Sequence, residues 1–179
     1  MAHSVRWACL CLMLATLSSV AADWRTALPL AQRLGEGDFT WFGLRLYTAR
    51  LWTADSRLDW NQPFALELLY HRSMSRETLV QASVEEMRRL GSDGVTSASL
   101  AAWTQAMEAA FVDVRPGMRI TGLYLPGKGC RFYVDGQPTR EIFDPLFARA
   151  FFAIWLDPRA RDLQLRQRLL GLGENDRGT

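Results

Sequence analysis

Arg45 and Tyr47 form the pair whose chemistry is easiest to name. At i and i+2 of an extended run they share one strand face, together with Trp41. A guanidinium and a phenol converging in an apolar cleft grip a carboxylate, one through a charge-assisted hydrogen bond and one through a neutral one. The competing arrangement is an outward face on which Arg45 stacks over aromatic neighbours and Tyr47 covers the sheet. On the residues alone the second is the commoner outcome.

Other chemistry is sparse. His71 is the only histidine after residue 22, which excludes a multi-histidine metal centre, and the carboxylates show no ligand spacing. No metal and no cofactor are therefore expected. His71 with Cys130 would make a thiolate nucleophile only if the fold joined a strand end to a hairpin. Cys130 reads more simply as a small packing residue. Gly127-Lys128-Gly129 has the glycines of a phosphate cradle but links two antiparallel strands instead of opening a helix, so turn geometry explains it better.

These residues need elements to hold them. A first strand is expected over residues 28–34, a turn at Gly35-Glu36-Gly37-Asp38, and a long aromatic strand over 39–52. Another strand follows over 64–70, with Leu66 and Leu68 on one face. Ser75 is a plausible N-cap for a helix ending at Gly91, and a second helix spans about residues 98–111. Strands over 119–125 and 131–134 make a hairpin, Asp135-Gly136 suits a type I′ turn, and 138–143 closes the meander. Asp144-Pro145 starts a helix over 146–156 that is apolar almost all round and so must be buried. A last amphipathic helix reaches Leu170. Strand runs segregated from helix runs imply an α+β fold, an antiparallel sheet packed against a layer of helices.

The N-terminus reads as a secretory signal: Arg6, an apolar stretch over 7–17, then Val20-Ala21-Ala22 as the cleavage box. A mature chain beginning at Asp23 is expected, exported across the inner membrane to the periplasm and without an integral membrane span. Removing Arg6 leaves 20 basic against 19 acidic residues, too balanced for nucleic-acid capture. Cys9 and Cys11 leave with the signal, so no intrachain disulfide remains. One domain over 23–173 and a disordered tail over 174–179 are expected.

From about Gly35 to Gly171 the chain resembles the bacterial chalcone isomerase-like family. The resemblance rests on Phe42-Gly43-Leu44-Arg45-Leu46-Tyr47 with Leu51-Trp52, the 111–117 loop, Tyr124-Leu125-Pro126-Gly127 and the end of the 151–157 segment. It implies an open-faced sandwich with an apolar cleft between sheet and helices. In the wider superfamily that cleft either cyclises chalcones or holds a fatty acid by its carboxylate. The resemblance places the strand threonine of the plant enzymes on Tyr47, as in the fatty-acid-binding branch. It places their helix-start tyrosine on Met74, the lysine on Glu77 or Thr78, and the asparagine on Gln81 or Ala82. Their arginine has no clear match, since Asp38 lies in that neighbourhood, and Arg33 or Arg45 could substitute.

Plant-type isomerase activity is therefore not expected, because the phenol and ammonium that polarise the ketone are missing. The expectation is a non-catalytic binder of a fatty acid or similar apolar carboxylate, with Tyr47, Arg45, Arg33 and Trp41 as ligand-binding candidates. The alternative is an isomerase or lyase using Tyr47 as acid or base. A third possibility, an envelope protein partner, requires Trp24, Trp52 and Trp60 to be exposed.

Overall fold

The structure, a computed structural model, describes residues 23–173. The stretch read as a signal peptide and the tail over 174–179 lie outside the described residues. Along the chain run α1 (Trp24–Ala27), β1 (Gln32–Trp41), β2 (Leu44–Thr53), β3 (Phe64–Tyr70), α2 (Arg76–Leu90) and α3 (Ser97–Ala110). Then come β4 (Arg119–Leu125), β5 (Gly129–Val134), β6 (Gln137–Ile142), α4 (Pro145–Leu156) and α5 (Leu163–Leu169). The six strands pair in sequence order, every neighbour antiparallel. This is the expected α+β open-faced sandwich.

The period of two along each strand divides the core. On one face Phe64, Leu66, Leu68 and Tyr70 of β3 join residues of α2 to α5 in the main hydrophobic cluster. On the other, Ala65, Leu123 and Tyr133 meet Trp24 and Leu28, so the α1 segment plugs a small second cluster. Trp24 is buried, Trp52 packs against this cluster, and Trp60 lies edge-on to Phe64 under the Arg149 guanidinium, 3.6 Å from its ring centre. The exposed-tryptophan basis for an envelope partner is thereby absent.

Local chemistry sets the helix ends. The Ser75 hydroxyl accepts from Thr78 N, and Gly91 takes the left-handed conformation at the far end of α2. Asp144 accepts from Leu146 N and Phe147 N, and also from Trp103 Nε1 at 2.8 Å, which ties the start of α4 to α3. The Asp135-Gly136 turn has positive φ at both residues, as a type I′ turn requires.

The N-terminal hairpin departs from expectation. Residues 35–38 are not a turn but the middle of β1, and the run over 39–52 is folded back at Phe42-Gly43. The glycines at 35 and 37 answer to packing. A Cβ on Gly35 would strike the carbonyls of Arg168 and Leu169, and one on Gly37 would sit 2.9 Å from Leu165. α5 can therefore lie directly on β1 only because those side chains are missing. The real turn uses φ of 46° at Phe42, a region that bulky residues seldom occupy.

Candidate binding cavity

Between the β1–β2 hairpin and the helices lies a cavity of about 380 Å³, within the size range of small-molecule sites. Its sheet side is Leu46, Tyr47, Leu68 and Tyr70, continued by Phe39 and Trp41 from β1. Leu79 and Ser83 of α2 face Phe151, Ile154 and Trp155 of α4 across it. The rim is charged: Glu85 and Glu86 from α2, Arg161 and Asp162 from the segment entering α5.

Two phenols sit at the heart of this space. The Tyr47 ring stacks on Phe39 at 5.0 Å and meets Tyr70 edge-on at 5.9 Å. Trp155 Nε1 donates to the Tyr47 hydroxyl at 3.0 Å, which leaves the phenolic proton free to donate onward. Burial pushes the Tyr47 phenol well above its ordinary pKa; the Trp155 hydrogen bond opposes this, while the carboxylates of Asp162 and Glu86 add to it. Burial likewise pushes Tyr70 upward, with Tyr47 adding to the effect. Both are therefore neutral hydrogen-bonding groups at physiological pH.

Arg45 is not with them. Phe39 pairs with Tyr47 and Thr40 with Arg45, so Leu46 is the extra residue of a β-bulge. The bulge breaks the i, i+2 rule and turns Arg45 to the opposite face, where it contacts Asp38 at 3.3 Å with its side chain 56% exposed. Arg33 is also elsewhere, bonded to Glu36 at 2.9 Å. Of the four candidates, Tyr47 and Trp41 line the cavity and the two arginines do not.

The arginine that does reach the cavity is Arg161, unforeseen because only tertiary packing brings it there. It is already engaged: its Nε donates to Glu86 Oε1 at 2.6 Å, while Arg89 holds Glu86 Oε2 at 2.8 Å. Burial pushes the Glu86 carboxyl upward, but these hydrogen bonds outweigh it and hold the group below its ordinary pKa. Tyr70 was foreshadowed by its position two residues beyond Leu68 on the inward face. Trp155 carried no local signal, being one aromatic among many on α4.

His71 and Cys130 sit at opposite ends of the sheet. His71 Nε2 contacts the Thr48 hydroxyl at 2.8 Å, whereas Cys130 pairs with Tyr124 beside the β4–β5 turn. Burial also drives the Cys130 thiol upward, away from the thiolate a nucleophile needs. Gly129 is required for close approach, since a Cβ there would meet the Ile142 carbonyl. Among the described residues no cluster of histidine, cysteine or carboxylate side chains is placed to hold a metal.

A family model for chalcone isomerase-like proteins matches residues 41–171, most of the chain and every element around the cavity except β1, of which it includes only Trp41. The chain belongs to the chalcone isomerase-like family. A Haemophilus influenzae protein described only as uncharacterized is 28% identical over 150 residues, covering 82% of this chain and 72% of its own. A crystal structure of an Arabidopsis thaliana fatty-acid binding protein superposes with a TM-score of 0.60 at 12% identity, over 79% of this chain and 87% of that one. At that identity the likeness concerns the fold.

Membership of the chalcone isomerase-like family leaves the helix-start positions to be read from the geometry. Thr78 and Ala82 line the cavity with Met74, whereas Glu77 and Gln81 do not. The side chains that these helix-start positions present to the cavity are thus methionine, threonine and alanine. None of these supplies an ammonium, a phenol or an amide.

Proposed function

We propose that this protein binds an elongated apolar molecule of fatty-acid size in the cavity beneath β1 and β2 and performs no chemistry on it. The observation that carries this is the combination of an open apolar space of about 380 Å³ with two phenols that burial keeps neutral. Aromatic and aliphatic walls favour a hydrocarbon body through the hydrophobic effect. Tyr47 and Tyr70 offer its polar end hydrogen bonds.

The acid–base alternative is weaker on the same facts. A general base works best with a pKa near the operating pH, and Tyr47 is displaced in the opposite direction. The entry and start of α2 present Met74, Thr78 and Ala82 to the cavity, none of which polarises a ketone as an ammonium or a phenol would. The fatty-acid-binding structural relative supports a lipid-like ligand for this fold. The N-terminal signal reading adds export to the proposal, and intact-mass analysis of protein recovered from the cell envelope should then give a chain starting at Asp23.

Mass spectrometry of gently extracted protein tests the binding proposal, followed by titration of the stripped protein with single-chain lipids. One lipid per chain, or saturable stoichiometric binding weakened by Tyr47→Phe, supports it. Protein that carries no apolar ligand and binds none overturns it. Turnover of a small ketone or enone abolished by Tyr47→Phe would establish the enzymatic alternative instead.

A further inference from the structure

The charges around the cavity point to one class of head group. Its ionisable lining apart from the phenols is Glu85, Glu86 and Asp162 against a single guanidinium, Arg161. That guanidinium is spent on Glu86, which a second cation, Arg89, also holds. Arg33 and Arg45, the cations suited to a carboxylate clamp, are outside and paired with Glu36 and Asp38. At the Tyr47 hydroxyl the field has the same sign, since Asp162 and Glu86 both disfavour an anion there.

The hydrogen-bonding geometry narrows the choice further. The Tyr47 oxygen already accepts from Trp155 Nε1, so what it has to offer is its proton. Tyr70 lines the same space with its ring edge-on to that of Tyr47, so its hydroxyl is a second donor there. A matching head group must accept hydrogen bonds, which an ammonium cannot do. It must also carry no negative charge, because a carboxylate would lie among like charges with no free cation to offset them.

We propose that the cavity selects apolar chains ending in a neutral hydrogen-bond acceptor, such as an ester, ketone or alcohol, over free carboxylates. This rests on the binding function proposed above and specifies its ligand class. Tyr47 and Tyr70 would donate to the acceptor, and the rim carboxylates would exclude anionic chains of equal length.

Calorimetric titration near neutral pH with methyl dodecanoate, dodecan-1-ol, dodecanoate and dodecylamine tests it, all below their aggregation limits. The ester and alcohol should bind at least about tenfold more tightly than dodecanoate, the effect of one unscreened like-charge contact. Asp162→Asn keeps a side chain able to cap α5 while removing a charge. It should raise dodecanoate affinity several-fold and leave the ester unchanged, and Glu86→Gln, which also frees Arg161, should do so more strongly. Dodecanoate binding as tightly as the ester to the unmodified protein overturns the selectivity, as does dodecylamine binding more tightly than the ester. Charge-removing variants that leave dodecanoate affinity unmoved overturn it as well. If no chain binds, the binding function itself falls and this inference with it.

Discussion

Two halves of one sheet are covered by helices, and only one is filled. Beneath β3 to β5, Phe132 and Phe152 are fully buried, and Phe111, Phe147 and Phe151 interlock with them edge-to-face at ring distances of 5.2 to 6.4 Å. Gly122 makes room for the Phe152 ring, whose tip lies 2.8 Å from where a Cβ would be. Beneath β1 and β2 the cover is different. There α5 is seven residues long, seated on Gly35 and Gly37, and its approach carries Arg161 and Asp162 in place of large apolar groups. Aromatic content is thus not what distinguishes the halves, since Phe39, Trp41, Tyr47, Tyr70 and Trp155 surround the hollow. The difference is that the apolar α4 only borders the hollow, and the cover over β1 and β2 is completed by the short, polar-ended α5. One half is packed solid and the other leaves a hollow of about 380 Å³.

That contrast can be broken at either side. Phe152→Ala should cost the most, about 3–5 kcal/mol in denaturant unfolding, because it removes a fully buried ring from tight aromatic packing. A loss under about 1 kcal/mol would show that the packed half is looser than its geometry implies. Gly35→Ala should cost about 1–3 kcal/mol by driving α5 off β1, and should weaken ligand binding too, since α5 closes the cavity. Tyr47→Phe leaves Trp155 Nε1 without its acceptor and should lower stability by only about 1–2 kcal/mol, with ligand affinity falling in parallel. Phe42→Asn should move stability the other way, a gain of about 1 kcal/mol. The position is 89% exposed, and asparagine tolerates the positive φ that phenylalanine resists.

What could be read in the chain beforehand was whatever is encoded locally. Ser75 and Gly91 bound α2, Asp144-Pro145 opens α4, and Asp135-Gly136 turns β5 into β6, because caps and turns act over three or four residues. The inward face of β3 followed from alternation alone. What stayed hidden depends on distant partners. Gly35 and Gly37 look like turn residues until α5 is seen lying on them, from more than 120 positions downstream. The Phe42-Gly43 turn was masked by an aromatic at a position where asparagine or glycine is the usual signal. Simple alternation places Arg45 on the face of Tyr47, since nothing local announces the Leu46 bulge. Trp155 and Arg161 reach the site only through the docking of α4 and α5. Tyr47 and Trp41 were identifiable as lining residues, whereas the charges around the cavity, from Glu85, Glu86, Arg161 and Asp162, were not.

The most direct test is a crystal structure of the protein with 12-bromododecan-1-ol, the bromine being located by its anomalous signal. The chain should run between β2 and α4 inside the cavity, with the hydroxyl within hydrogen-bond reach of Tyr47 or Tyr70 and the bromine toward the other end. Bromine found only at surface sites, with side chains closed into the cavity, would contradict the account.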